Sequence, residues 1–174
     1  MIARCEASVV ALAARLEALW AALARATPAQ FQARPGGASS LGAHLRHVLD
    51  CVQAIVDGVA GGVVDYEERA RGVPEETDLE AARGRVAALL PRLLRLSQET
   101  ADFPLAIRTL LDPDGSPVEL QSTLGRELAH ALSHTVHHAA LMHRVGEAVA
   151  LPWAIELDMA PGTARFHRAE AARP

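Results

Sequence analysis

Apolar positions recur with a helical period in four long stretches of this chain, separated by segments rich in proline, glycine and charge. In residues 2 to about 26, Val9, Leu12, Ala13, Leu16, Leu19, Trp20 and Leu23 follow one another at steps of three and four. Arg15, Glu17 and Arg25 lie away from that stripe. Thr27-Pro28 ends the first helix, because proline disfavours the α conformation in the residue before it. Residues 28–38 read as loop. Ser39 or Ser40 caps a second helix that runs to Gly58, with Leu41, Leu45, Val48, Val52 and Ile55 on its apolar face and Val59 just beyond. Arg46, Asp50, Gln53 and Asp57 mark its opposite face.

After the glycines of 58–62, residues 63–72 form a loop dense in charge. Thr77-Asp78-Leu79-Glu80 carries a capping-box pattern and opens a third helix that continues to about Ser97. Leu79, Val86, Leu89, Leu90, Leu93, Leu94 and Leu96 are its expected core contacts. Pro91 should kink it, since proline removes a backbone donor and crowds the preceding turn. The turn signal Asp112-Pro113-Asp114-Gly115 sits between 106–111 and 116–121, which predict a small β-hairpin. Ser122 or Thr123 then caps a fourth helix reaching Gly146. The tail, 150–174, is expected to be mostly loop with at most a short helix.

This order of elements describes an all-α fold in a single domain over 1–174. Half of the residues are hydrophobic but only 3% are aromatic, so the core must be built from Ala, Leu and Val, which suit closely packed helices. A formal charge of −4 argues against nucleic acid as a partner. Cys5 and Cys51 are too few for a disulfide framework and fit a reducing cytoplasm. Arg4, Glu6, Arg15 and Glu17 interrupt the apolar N-terminal stretch, and no segment reaches the length of a membrane span.

The chemistry concentrates in the fourth helix, where His130, His134, His137 and His138 fall within nine residues. On a helical wheel His134 and His138 lie at the edge of the apolar stripe, in one column with Glu127. His137 lies with the wet face and His130 nearer to it than to the core. Side chains at i and i+4 stand about 5–6 Å apart, close enough for two imidazoles to share an ion. His134 and His138 are therefore a candidate half-site; His130 and His134 share the spacing but point further into water. The plainer alternative is a set of hydrogen-bonded, inert helix histidines.

A third ligand is available on the second helix, where His44, His47 and Cys51 border the apolar stripe, and the wheel does not separate His44 from His47. Three imidazoles would suit zinc or nickel and leave a coordination position open for water or substrate. Asp50 and Glu127 are candidates to orient a ligand imidazole, with a surface ion pair as the alternative for each. Cys51 could serve as ligand, redox-sensitive thiol or core filler. Tyr66, Arg69 and Arg71 could reach over the site and hold an anionic group, or be ordinary solvated surface.

Ser40-Leu41-Gly42-Ala43-His44-Leu45-Arg46-His47-Val48-Leu49-Asp50, together with Leu132-Ser133-His134-Thr135-Val136-His137-His138, resembles the DinB/YfiT-like superfamily of metal-dependent proteins. Residues 65–71 and 122–128 look like a DinB-type subgroup. The resemblance covers most of 1–150. It implies an up-and-down four-helix bundle with His47, His134 and His138 as the metal triad, and leaves His44 as a further histidine near the pocket, a proton carrier. It also implies a small-molecule substrate. Characterised members include S-transferases that add low-molecular-weight thiols to electrophiles and a thiol-dependent maleylpyruvate isomerase, so a thiol co-substrate or a hydrolytic water is expected. The rival expectation is a non-catalytic metal-binding or stress-related bundle. A homodimer is common among similar proteins.

Overall fold

The first long apolar stretch forms α1 (Glu6–Leu23), and Val9, Leu12, Ala13, Leu16, Leu19 and Leu23 are its buried stripe. The computed structural model describes residues 3–68, 70–152 and 161–171. Directly after α1, where a loop is expected, the chain makes the short helix α2 (Pro28–Gln32). Its capping box holds it. The Thr27 hydroxyl accepts from the Gln30 amide at 3.3 Å, and the Gln30 side chain accepts from the Thr27 amide at 3.0 Å. Thr-Pro-x-Gln, with proline at the first helical position, is a readable start signal. Its effect is to sink Phe31 completely into the core.

α3 (Leu41–Gly58) starts at Ser40, whose hydroxyl accepts from the Ala43 amide at 3.1 Å. α4 (Leu79–Arg95) is capped by Asp78 rather than by Thr77. The Asp78 carboxylate accepts from the amides of Glu80 and Ala81, while the Thr77 hydroxyl donates to the Pro74 carbonyl. The helix runs through Pro91 to Arg95. Its buried residues Ala82, Val86, Leu89 and Leu93 alternate steps of four and three, with Leu96 continuing the pattern. That stripe leaves Leu94 on the outer side, 44% exposed, against the expectation that it contacts the core. α5 (Leu124–Ala148) begins at Thr123, whose hydroxyl accepts from the Arg126 amide. The tail holds α6 (Pro161–Ala171), with Phe166 exposed.

The hairpin forms near its expected place, as β2 (Pro104–Thr109) and β3 (Val118–Thr123), paired antiparallel from Pro104↔Thr123 to Thr109↔Val118. A third strand, β1 (Val63–Asp65), lies in what reads as a charged loop and pairs in parallel with β2. Three residues are too few to display a period of two, and a parallel partner as distant in sequence as Ala106 is from Val63 leaves no local signal. β1 matters for the site. The Tyr66 amide extends its ladder by donating to the Arg108 carbonyl at 3.0 Å, which fixes the start of the 66–72 segment.

α1 packs on α4 and α5, and α3 packs on the same two helices, so the four long helices contact in a ring. Their shared interior is aliphatic, with Leu12, Leu16, Leu45, Val48, Leu89, Leu93, Leu128 and Met142 in one cluster. Among the described residues, no helix is long and apolar enough to cross a membrane.

Gly42 lets α2 and the 74–76 turn close onto the start of α3. A Cβ at Gly42 would stand 2.1 Å from the Glu76 carbonyl oxygen and 2.7 Å from Phe31 Cε1. Gly42→Ala is therefore expected to destabilise the protein by about 1–3 kcal/mol, as overpacked sites do. Urea unfolding measures it, and an unchanged midpoint would contradict this close approach.

Candidate metal centre

α3 and α5 bring their histidine-bearing shoulders together. His44 and His47 lie one turn apart on α3; His130, His134 and His138 lie at successive turns of α5. One ring nitrogen from each of His47, His134 and His138 falls in a group whose members all lie within 4.8 Å of one another. It is the one such group of His, Cys, Asp and Glu side chains among the described residues. The Nε2 atoms of His47 and His134 are 3.1 Å apart. The His138 ring stands edge-on to both, at centroid distances of 4.7 Å and 4.5 Å. His130 stacks on His134 but is exposed, and His137 touches the His138 ring from the solvent side.

This donor set fits a cation. Two neutral imidazoles facing each other through Nε2 can form a hydrogen bond only if one of them carries its proton there. With a cation between them both can present lone pairs, as neutral histidine ligands must. The His138 ring is held neutral: burial, and then the neighbouring His134, His47, His44 and His137, push its pKa down to about 3. Burial and the nearby His47 and His137 also lower that of His44.

A cavity of about 160 Å³ opens beside the cluster, lined by His47, Asp50, Cys51, Tyr66, Thr109, His130 and His134. Tyr66 belongs to its wall. Its hydroxyl donates to Glu127 Oε2 at 2.6 Å. Glu127, only 1% exposed at the first turn of α5, also accepts from Ser122 and from Arg126, the latter at 2.8 Å. Burial alone would raise the Glu127 pKa, but the hydrogen bonds from Ser122, Tyr66 and Arg126 outweigh it and hold the carboxyl below the usual range. Burial and the bond to this carboxylate push the Tyr66 phenol far up, so it stays protonated.

Asp50 lies at the cavity wall between two arginines, Arg46 of its own helix and Arg85 of α4. These in turn meet Glu76 and Glu75, each at 2.8 Å, so Asp50 is part of an ion-pair chain joining α3, α4 and the 74–76 turn. Of the two other residues expected over the site, Arg71 is exposed and does not line the cavity, and Arg69 lies outside the described residues. His44 is placed differently from either carboxylate: its Nδ1 is 3.0 Å from Nδ1 of His138.

Several residues of the site are not among those singled out in the sequence. Ser122 precedes Glu127 by five residues at the helix start, and Arg126 adjoins it. Both could have been found by asking what satisfies a carboxylate on the apolar side of a helix. Thr109 reaches the cavity only through the register of β2, which no local pattern reveals.

A profile of the DinB superfamily matches residues 11–142, a span that contains His47, His134 and His138. A protein of Rhizopus delemar named FK506-binding protein 5 is 29% identical over 102 residues, covering 58% of this chain. The match takes in only 26% of that relative's own length. No solved structure matches the chain. With the family profile spanning most of its length and all three clustered histidines, the chain belongs to the DinB superfamily.

Proposed function

We propose that the protein is a metal-dependent enzyme in which His47, His134 and His138 hold one divalent ion, zinc or nickel, at the wall of a small cavity. In this reading α1, α3, α4 and α5 form an up-and-down four-helix bundle, and the reaction transfers a low-molecular-weight thiol, or failing that a water, to a small electrophile. The observation that carries it is the convergence of three imidazole nitrogens from two helices within 4.8 Å, beside open space. When bound, such an ion lowers the pKa of an adjacent thiol or water and so supplies a nucleophile near neutral pH.

The chain's own groups do the rest. His47, His134 and His138 would each present a ring nitrogen to the ion from a helix. Tyr66, its hydroxyl committed to Glu127, walls the cavity and stays protonated, so it shapes the site without acting as a base. The cavity has room for about five waters' worth of volume, enough for the reacting end of a ligand. Next to it, across Asp50, a groove of about 850 Å³ carries Asp57, Asp65, Glu67, Glu68 and Glu75 along with Arg85. Acidic walls favour an uncharged electrophile over an anionic one. The FK506 in the name of the fungal relative is not part of this reading, since the match covers only 26% of that protein.

The test is consumption of a thiol with an uncharged electrophile such as a bimane by the zinc- or nickel-loaded protein, with a maleate-like anion as the poorer substrate. Turnover that disappears with chelator and returns with the ion is the expected result. Silence across a broad thiol panel would overturn thiol transfer and leave hydrolysis or no catalysis. Unfolding on metal removal would instead assign the ion a structural, non-catalytic role.

A further inference from the structure

We infer that His44 is a positioning residue for His138, accepting its Nδ1–H and so fixing which ring nitrogen His138 turns toward the ion. This rests on the reading of His47, His134 and His138 as a metal triad.

The geometry is specific. Nδ1 of His44 and Nδ1 of His138 are 3.0 Å apart, with the rings tilted by 50°. A neutral imidazole has one N–H and one lone pair, so one ring must donate and the other accept. If His44 donated, His138 would accept at Nδ1 and carry its own proton on Nε2. It would then have no lone pair to offer the cluster. If His138 donates, its lone pair is on Nε2, the same nitrogen through which His47 and His134 face each other. Only the second polarity is compatible with His138 as a ligand. It gives His44 a defined tautomer too, with its lone pair on Nδ1 and its proton on Nε2.

His138 is the most enclosed of the three rings, 8% exposed, and its Nδ1–H has little access to water should this partner be removed. The bond also runs between α3 and α5, next to the contact between His47 and His134 across the same interface. A carboxylate or backbone carbonyl commonly plays this part for histidine ligands. Here both oxygens of Glu127 already have donors, and the acceptor that reaches His138 is another histidine.

Binding of zinc alone, by competition against a chromophoric chelator, separates the alternatives, with the cobalt-loaded visible spectrum as a second readout. His44→Ala should weaken zinc binding by roughly 10–100-fold, as loss of an outer hydrogen-bond partner does. His44→Asn, whose Oδ1 occupies about the place of Nδ1 and can accept the same proton, should recover most of the affinity and the wild-type cobalt spectrum. A His44→Ala protein that binds as tightly as wild type would overturn the positioning role. So would an Asn variant, folded by circular dichroism, that binds as weakly as the Ala variant, because packing rather than the acceptor would then be at stake. If the wild-type protein itself binds no zinc, the triad reading fails first, and the two failures are thus distinguishable.

Discussion

Changing His134 to alanine should abolish tight metal binding while the helices remain. His134 sits in the middle of the cluster, its Nε2 3.1 Å from that of His47 and its ring 4.5 Å from that of His138. Removing it leaves two donors on different helices. The loss should exceed the roughly 100-fold that follows removal of an outer partner. The structural cost is small, because His134 is half-buried at the cavity wall and its removal enlarges space already open to ligand. Zinc competition together with far-UV circular dichroism measures both parts. Retained affinity with an intact fold would place the ion elsewhere.

The second large effect is on stability. Glu127→Ala should cost about 3 kcal/mol, because it strands the donors of a buried carboxylate. Tyr66 follows β1, Ser122 belongs to β3, and Glu127 is on α5, so this carboxylate ties both edge strands of the small sheet to the helix below. The bond from Arg126 counts for less, since that side chain is 66% exposed and screened by water. Glu127→Gln should fall between, keeping an acceptor for Tyr66 but losing the charge. A urea midpoint for Glu127→Ala within about 0.5 kcal/mol of wild type, the range of an ordinary surface change, would contradict this account.

The sign of the pH dependence follows. The folded pKa of Glu127 lies below its ordinary 4.5, so its contribution is complete above that pH and disappears as pH falls through the folded value. His138 acts in the same direction over a higher window. Below 6.5 the unfolded chain takes up a proton that the folded ring refuses until about pH 3, so the metal-free protein loses stability progressively between those limits.

The long helices are legible because each carries an apolar stripe of at least four turns, and α3, α4 and α5 each begin at a side-chain cap. Their boundaries needed only small revision. α2 and β1 carry no such stripe: one is set by a single capping box, the other by a parallel partner distant in sequence. The pairing of His134 with His138 is visible in the four-residue spacing taken with their place at the edge of the apolar stripe, since His130 and His134 share the spacing but not that place. Which histidine of α3 stands beside them is not visible in the helical periodicity, because His44 and His47 both border the same stripe; the family resemblance points to His47, and the packing of α3 on α5 brings His47 into the cluster. The structure gives the two rings different places, with His47 Nε2 against His134 and His44 Nδ1 against Nδ1 of His138. Asp50 illustrates the opposite case. Its position next to the histidines suggests either a partner for a ligand ring or an ion pair; the structure shows the ion pair, although the arginine that meets it from α4 becomes apparent only when the helices are packed.

The most direct test of the metal centre is elemental analysis of the purified, untagged protein beside a His47→Ala, His134→Ala double variant. Close to one zinc or nickel per chain is expected in the wild type, lost in the variant while helical content stays. No metal in either protein, even after incubation with zinc and nickel, would contradict it and return these histidines to a purely structural role.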